Sequence, residues 1–291
     1  MLEWSRIAWY VLGKYMNEGF INSNKIFVKY NNFQNERKTL ILIHGVSGSM
    51  SGWDNCIESL NKYYNLVLFD LRGHGRSFKY TNISDYQIKL FSDDLLYVLN
   101  HFKLSQPFVV AHSFACLILM DFVTRYNYGL GKLILMSANF NTRKPLVTFI
   151  CSMILKGLRS PRSPRSPRSP RSQTLNYTNE RHINYNRFSS NRDLDVKRFW
   201  VDISNTGLFV YLSCIKYATQ FNPQLLLNRV ENSCLFIHGE NDLIAKSKSL
   251  KPHLKNIVHA QLLEIKKANH VMIFSHHTEI TNAIFGYCDN E

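Results

Sequence analysis

The sequence predicts an α/β fold: a mostly parallel sheet flanked by helices. Short, continuous apolar runs rich in β-branched residues recur along the chain, as in strands buried on both faces of a parallel sheet. Segments with helical spacing lie between most of these runs, and such alternation is typical of right-handed crossovers. The alternation stops between residues 139 and 230, where about ninety residues carry no clear strand pattern.

Seven apolar runs are expected to form strands. The clearest is Thr39–Ile43, whose residues are all β-branched or leucine. The other six runs are Ile26–Tyr30, Leu66–Phe69, Phe108–Ala111, Leu133–Met136, Cys234–Ile237 and the weaker Gln261–Ile265.

Helical spacing of apolar residues predicts the connecting elements. In the core these helices are Trp53–Tyr64, Ser84–Phe102, Phe114–Tyr126 and Val271–Tyr287. In the strand-free segment they are Leu146–Leu158, Val196–Trp200 and Phe209–Tyr217. Ser84 and Gln87 have the spacing of a capping box, in which each side chain satisfies a backbone N–H of the first turn.

Composition limits the class of protein. The 291 residues are 45% hydrophobic and 13% aromatic, which is typical of a globular chain. Six cysteines without metal-ligand spacing predict a cytoplasmic protein with no metal site. The 35 lysines and arginines exceed the 21 acidic residues and give a net charge of +14. That charge first suggests nucleic acid or an acidic membrane as a partner.

The first twenty residues predict an amphipathic helix and not a secretory signal. Glu3, Arg6 and Lys14 interrupt the apolar run that a signal requires. The residues with helical spacing are Trp4, Ile7, Ala8, Val11, Leu12 and Tyr15. Such a helix packs on the body of the protein or lies on a membrane surface. The longest apolar run elsewhere, residues 146–155, is too short to span a membrane.

A repeat of arginine, serine and proline with a period of three occupies residues 159–172. It holds five of the basic residues and four of the eight prolines, so about a third of the net charge is local to it. Because proline fixes φ and lacks an N–H, the repeat predicts an extended linker, although its Ser-Pro pairs also fit phosphorylation sites. Arginine tracts attract phosphates, but no recognition motif accompanies this one, so no specific nucleic-acid partner is expected.

The segment Phe108–Ala115 carries the clearest chemical signal. A buried strand ends at Ala111, a helical pattern begins at Phe114, and Ser113 lies at the junction. A nucleophile on a sharp strand-to-helix turn needs small neighbours, and Ala111 and Ala115 flank it two positions away on either side. The turn exposes the hydroxyl and directs the first N–H groups of the helix at a developing oxyanion. A serine that only caps the helix fits the same segment.

The segment resembles the nucleophile elbow of the α/β-hydrolase family. That motif has glycine at both flanking positions, whereas this chain has alanine, so the turn would be slightly more crowded. The resemblance covers about Lys38–Ala138 and Asn232–Gly286 and leaves out the middle, which is the variable cap in this family. It implies a core of residues 1–138 and 231–291, with residues 139–230 as a helical cap inserted before the acid-bearing strand.

Two further segments carry the resemblance. After the strand Thr39–Ile43 comes His44-Gly45-Val46, which implies that the backbone N–H groups of Val46 and Phe114 form the oxyanion hole, with His44 orienting the loop. Residues 70–77 match a D-x-R-G-x-G-x-S loop of the family, which we interpret as scaffold. His74 lies in that loop between glycines, and we interpret it as structural too.

The resemblance also implies the partners of Ser113. Asp242 follows the strand at Cys234 in a G-x-x-D pattern and is preferred to the nearby Glu240 as the triad acid. His270 follows the last apolar run and precedes a helix, as the catalytic histidine of the family does. Ser113, Asp242 and His270 stand in the chain order of this fold, separated by about 130 and 28 residues.

The implied function is a serine hydrolase that cleaves a carboxylic ester or related acyl substrate through an acyl-enzyme, without a cofactor. Thioesterases and C–C bond hydrolases use the same machinery, and the two alanines leave a catalytically inactive binding protein open. A serine nucleophile argues against epoxide hydrolases and haloalkane dehalogenases, which use aspartate. Peripheral membrane contact through the N-terminal helix or the cap stays open. The residues expected to form an apolar wall of the pocket are Phe140, Leu146, Val147, Phe149, Ile150 and Met153.

Overall fold

Eight strands form one sheet in the computed structural model, which describes residues 16–23, 25–158, 183 and 195–289. The strands are Met16–Ile21 (β1), Ile26–Asn31 (β2), Thr39–Ile43 (β3), Asn65–Phe69 (β4), Phe108–His112 (β5), Leu133–Met136 (β6), Cys234–Gly239 (β7) and Ala260–Ile265 (β8). Their order is β1-β2-β4-β3-β5-β6-β7-β8. β2 runs antiparallel to both neighbours and all other pairs are parallel, which confirms the predicted sheet.

Helices flank the sheet and connect its parallel strands. They are Asp54–Leu60 (α1), Ile88–His101 (α2), Phe114–Arg125 (α3), Pro145–Gly157 (α4), Val196–Thr206 (α5), Leu208–Ala218 (α6), Ser247–Leu254 (α7) and His277–Asp289 (α8). Short 3₁₀ turns lie at Met50–Trp53, Ile83–Tyr86, Pro223–Arg229 and Met272–Phe274. No helix in the described ranges is both long and apolar enough to cross a membrane.

Side chains pack on both faces of the sheet, because successive residues of a strand point to opposite faces. In β3, Ile41 and Ile43 belong to one cluster, with α2 and α3, and Leu40 and Leu42 belong to the other, with α1 and α8. All four side chains are fully buried. The continuous apolar strand runs of the sequence therefore correspond to a sheet covered on both sides.

In the described part of the segment between β6 and β7 lie the helices α4 to α6. The described residues between these two strands contain no strand, in agreement with the break in alternation. α4 packs against α6, and α5 also contacts α6, which in turn contacts α2 and the turn at Ile83–Tyr86. These helices thus pack on one another and on the body of the protein. The repeat at residues 159–172 lies outside the described residues.

Some predicted boundaries were wrong. β1 had not been predicted, and the positions of the expected N-terminal helix, residues 4–15, lie outside the described residues. The helix expected from Ser84 begins only at Ile88, because Gln87 adopts an extended conformation (ψ 141°), and the capping box is formed by Asn82 and Asp85 on the preceding 3₁₀ turn. The helix expected from Val271 begins at His277, after a separate 3₁₀ turn.

The loop at residues 70–77 is held by buried polar contacts. Asp70 accepts hydrogen bonds from the backbone N–H groups of Met50 and Arg76, both at 2.8 Å. Arg72 donates two hydrogen bonds of 2.7 Å to the carboxylate of Asp94, and both side chains are buried. The loop therefore ties β4 to α2.

Loss of the Arg72 guanidinium should lower the free energy of unfolding substantially. In Arg72→Ala, Asp94 would stay buried without its partner, which costs about 3–5 kcal/mol. Arg125→Ala removes a more exposed guanidinium that pairs with Asp93 and Asp121, and it should cost less than about 1 kcal/mol. Urea unfolding of the three proteins measures both values, and equal losses would contradict the assignment.

Candidate active site

Ser113 occupies a strained turn between β5 and α3. Its φ of 53° and ψ of −110° lie outside the regions that non-glycine residues favour. Its N–H donates to the carbonyl of Met136 at 2.8 Å. Ala111 and Ala115 are fully buried, so the turn forms with alanine at both flanking positions. The backbone of Gly45 packs closely against this turn, since a Cβ at Gly45 would lie 2.9 Å from Nδ1 of His112 and 3.3 Å from Cβ of Ser113.

The structure brings Ser113, His270 and Asp242 into one hydrogen-bonded line. The Oγ of Ser113 lies 2.8 Å from Nε2 of His270. Nδ1 of the same imidazole lies 3.0 Å from Oδ2 of Asp242. The three residues follow β5, β8 and β7, whose carboxyl ends lie at one edge of the sheet, where open α/β sheets bind ligands.

Asp242 is fixed by the loop that carries it. Its Oδ1 accepts hydrogen bonds from the backbone N–H groups of Ile244 at 2.9 Å and Ala245 at 2.7 Å. Burial alone would raise the pKa of Asp242, but the hydrogen bond and charge of His270 and the bond from Ala245 hold it below its usual value. Glu240, the competing carboxylate, is exposed and accepts from the N–H of Lys267 at 2.9 Å. Asp242 and not Glu240 therefore contacts the imidazole.

Two backbone N–H groups are the oxyanion donors that the sequence predicts. Those of Val46 and Phe114 have no hydrogen-bond acceptor within the part of the chain that the structure describes, and both residues line the cavity beside Ser113. His44 holds this loop, because its Nδ1–H donates to the carbonyl of Gly45 at 2.8 Å and its Nε2 accepts from the N–H of Leu71 at 3.0 Å. Burial lowers the pKa of His44 to about 3, so the ring is neutral.

Residues 38–277 match the family model described as the α/β hydrolase fold. The chain belongs to the α/β-hydrolase fold family. Among curated relatives, epoxide hydrolase B of Mycobacterium tuberculosis is 38% identical over 74 residues, which cover 25% of this chain and 21% of the relative. A (E)-2-((N-methylformamido)methylene)succinate hydrolase of Acinetobacter baylyi is 32% identical over 85 residues, or 29% and 32% of the two chains. The chain thus spans about a third or less of the length of these two relatives.

Solved structures of other α/β hydrolases superpose over nearly the whole chain. A hydrolase from Pseudomonas aeruginosa gives a TM-score of 0.72 at 15% identity and covers 94% of this chain and 99% of that one. An esterase from Exiguobacterium antarcticum gives 0.67 at 14% identity and covers 91% and 96%. At such identities the likeness establishes the fold alone.

A cavity of about 300 Å³ opens beside Ser113 in this α/β hydrolase. Its apolar lining comes mainly from Leu117, Phe199, Tyr211, Ile215, Ile273 and Phe274. None of the six residues predicted as an apolar wall lines it, so that prediction was wrong. Phe140 is buried against Phe236, and α4 turns Cys151 and Leu155 inward, which leaves Leu146, Phe149, Ile150 and Met153 exposed.

The sequence had not pointed to several polar residues of this α/β-hydrolase site. His112 donates from Nε2 to the carbonyl of His270 at 2.9 Å, and the hydroxyl of Ser137 donates to the same carbonyl at 3.2 Å. Burial, assisted by the neighbouring His270, lowers the pKa of His112 to about 4, so it donates as a neutral ring. The available signal was position, because His112 ends β5 and Ser137 directly follows β6 at the ligand-binding edge of the sheet.

Arg198 and Asp202, one turn apart on α5, also line the cavity and are buried. The guanidinium of Arg198 lies 5.9 Å from the ring centre of Phe274. Within the described ranges, no group of three or more histidine, cysteine, aspartate or glutamate side chains is placed to hold a metal ion. The described lining of the cavity thus places a buried arginine beside hydroxyl and imidazole groups.

Proposed function

We propose that the chain is a serine hydrolase that cleaves a carboxylic ester or related acyl substrate, with Ser113 as nucleophile, His270 as base and Asp242 as the acid of the triad. The observation that carries the proposal is the pair of contacts of His270, 2.8 Å to the Ser113 hydroxyl and 3.0 Å to the Asp242 carboxylate. A serine hydroxyl is weakly nucleophilic, and an adjacent oriented imidazole is the arrangement that activates it.

The mechanism follows from which atoms can accept a proton. As the Oγ of Ser113 attacks the acyl carbon, its proton passes to Nε2 of His270, and the carbonyl π electrons move to oxygen. Asp242 accepts the Nδ1–H bond, fixes the tautomer and stabilises the imidazolium. The imidazolium then protonates the leaving alkoxide as the C–O bond breaks. Water, deprotonated by His270, attacks the acyl-enzyme and releases the acid and free Ser113.

The N–H groups of Val46 and Phe114 would stabilise the tetrahedral oxyanion. Each preorganised donor at such a position lowers the activation barrier by roughly 3–4 kcal/mol. Both N–H groups lack acceptors among the described residues, and both residues line the cavity, which supports this role. Serine, histidine and backbone amides together supply nucleophile, base and charge stabilisation, so the proposed reaction needs no metal or organic cofactor.

The cavity bears on the substrate. A volume of about 300 Å³ lies at the low end for ligand sites and favours a small acyl group. The same machinery serves thioesters and C–C bonds, so a thioesterase or C–C hydrolase is the alternative. The epoxide hydrolase among the relatives is a weaker guide, because the sequence places serine and not aspartate at the elbow. We interpret residues 139–230 as the cap, because Arg198, Phe199 and Tyr211 from that segment line the cavity.

An inactive binding protein was suggested only by the two alanines at the elbow. Both are fully buried, and Ser113 still has the strained φ and ψ and the 2.8 Å contact to His270. A turn held in this conformation costs free energy, which a purely structural serine would not require. These observations support an active enzyme.

A fluorophosphonate probe should label Ser113. Attack of its Oγ on phosphorus expels fluoride and leaves a stable phosphonyl-serine, so mass spectrometry of peptides would locate the adduct. Ser137→Ala retains the nucleophile and should still be labelled, whereas Ser113→Ala should not. A label elsewhere, or none on native protein, would contradict the assignment. Oxygen esters and thioesters with matched acyl groups then distinguish the two substrate classes by kcat/KM.

A further inference from the structure

Helix α4 is apolar on two sides, and only one of them is covered. Cys151 and Leu155 are buried, on the side where α4 packs against α6. On the other side the residues at spacing i, i+3, i+4, i+7 and i+8 are 43–71% exposed. We call these five residues the outer face of α4: Leu146, Phe149, Ile150, Met153 and Ile154.

Exposure of such an apolar face to water is energetically unfavourable. A helix that is apolar all round is normally buried in a core or in a bilayer. A contiguous exposed apolar surface on a soluble protein usually marks an interaction site. With 13 residues, α4 is about 20 Å long, too short to cross a hydrocarbon core of about 30 Å. The length fits a helix that lies in a membrane interface and does not span it.

The charged residues that flank α4 in the sequence are all positive. Arg143 and Lys144 precede α4, Lys156 lies in its last turn, and all three are exposed. From residue 122 to 179 the sequence contains ten lysines and arginines and no aspartate or glutamate. Three of these ten cations flank α4, and five belong to the repeat that follows it in the sequence. An anionic surface would be attracted to both ends of this helix.

A second exposed apolar cluster lies on α5. Val196, Phe199 and Trp200 are 48–78% exposed and recur at helical spacing. Tryptophan is typical of the membrane–water interface, where an apolar ring with one polar edge is favoured. Phe199 also lines the cavity, so this second cluster extends to the cavity that contains Ser113.

We propose that the outer face of α4 docks the protein on an anionic lipid bilayer. The aliphatic side chains enter the interface, and the flanking cations contact the headgroup phosphates or carboxylates. A second copy of the chain fits less well, because its face would carry the same positive charges. Nucleic acid offers phosphates but nothing that buries leucine, isoleucine and methionine. Docking determines where the protein resides, and it is independent of which ester it hydrolyses.

The test measures membrane binding and not hydrolysis, so its outcome is independent of whether the proposed hydrolase activity is confirmed. Full-length protein is sedimented with sucrose-loaded vesicles of phosphatidylcholine alone or with about a third phosphatidylglycerol. Native protein should bind the anionic vesicles, and binding should fall steeply with salt. Leu146→Ser/Phe149→Ser/Met153→Ser should weaken partitioning by about tenfold or more. Arg143→Gln/Lys144→Gln/Lys156→Gln should weaken it by roughly a hundredfold, at about fivefold per cation.

Matched controls separate the outer face from general surface properties. Leu225→Ser/Val258→Ser removes exposed apolar residues elsewhere, and Lys248→Gln/Lys255→Gln/Lys266→Gln removes the same charge elsewhere. Both should bind nearly as the native protein does. Circular dichroism and melting temperature verify that each variant is folded, which is expected because the replaced side chains are exposed.

Four outcomes would overturn the proposal. Native protein could fail to bind anionic vesicles, or the α4 serine variant could bind them unchanged. Binding could be lost on deletion of residues 1–15 or of the 159–172 repeat while the α4 variants bind normally. Sedimentation equilibrium could show a dimer that the α4 serine variant abolishes, which would identify a second copy as the occupant.

Discussion

Ser113→Ala should reduce kcat/KM for a short p-nitrophenyl ester by roughly 10⁴-fold or more. Loss of a triad nucleophile removes the covalent route and leaves only what the oxyanion donors and substrate binding contribute. The effect should appear in kcat, because the cavity keeps its shape when one hydroxyl is removed. Stopped assays with purified protein at several substrate concentrations separate kcat from KM.

The matched control is Ser137→Ala. Ser137 is buried near the same histidine, but its hydroxyl donates to the carbonyl of His270 and not to the reacting nitrogen. Its removal should cost far less activity than the loss of Ser113. Both variants should melt within a few degrees of native protein. Activity retained by the Ser113 variant, or an equal loss in both, would refute the nucleophile assignment.

Acidification from pH 6.5 to 4 should lower the free energy of unfolding by several kcal/mol, up to about 10 kcal/mol. Burial lowers the pKa of His44 to about 3 and that of His74 and of His112 to about 4, against 6.5 in an unfolded chain. Between these values the unfolded state binds more protons than the folded state, so the free energy of unfolding falls as the pH falls. The upper limit is roughly 3 kcal/mol for each imidazole, and the three together approach the whole stability of a typical domain.

Urea unfolding at intervals between pH 7 and pH 4 measures this loss. In His74→Asn the free energy of unfolding should fall less steeply as the pH falls, because one buried imidazole is removed. Nε2 of that imidazole has no hydrogen-bond partner among the described atoms. A free energy of unfolding that is flat across this range would show that these rings are not buried in their neutral form.

The parts of the fold that the sequence predicts well share one property, which is burial on both faces. Thr39–Ile43 and Leu133–Met136 were predicted with the observed bounds because every side chain except that of Thr39 is apolar and buried. Ser113 and Asp242 follow strands of this kind, β5 and β7, whereas His270 follows the partly exposed β8. The parallel sheet then brings their carboxyl ends together, although the residues are up to 157 positions apart in sequence.

The failures arise where tertiary contacts decide the outcome. β1 is formed by Met16–Ile21, whose burial is irregular, and it exists as a strand through its pairing with β2. The apolar wall was assigned to α4 from hydrophobicity alone, which does not say which side of a helix faces a cavity. The packing of α4 against α6 determines which side of α4 is buried, and the spacing of apolar residues in the sequence does not predict that contact. His112 and Ser137 were missed because their role depends on a backbone carbonyl more than 130 residues away.

The pairing of β6 with β7 has a consequence for the chain that connects them. Leu133 pairs with Cys234, so the sheet closes a loop of about a hundred residues that contains α4 to α6 and the repeat. The entropy of closing a loop grows only with the logarithm of its length, by about 0.6 kcal/mol for each doubling. One more or one fewer Ser-Pro-Arg unit therefore changes the stability of the sheet negligibly. Pairings so distant along the sequence also form slowly, so Ser113, 157 positions from His270, should reach it late in folding.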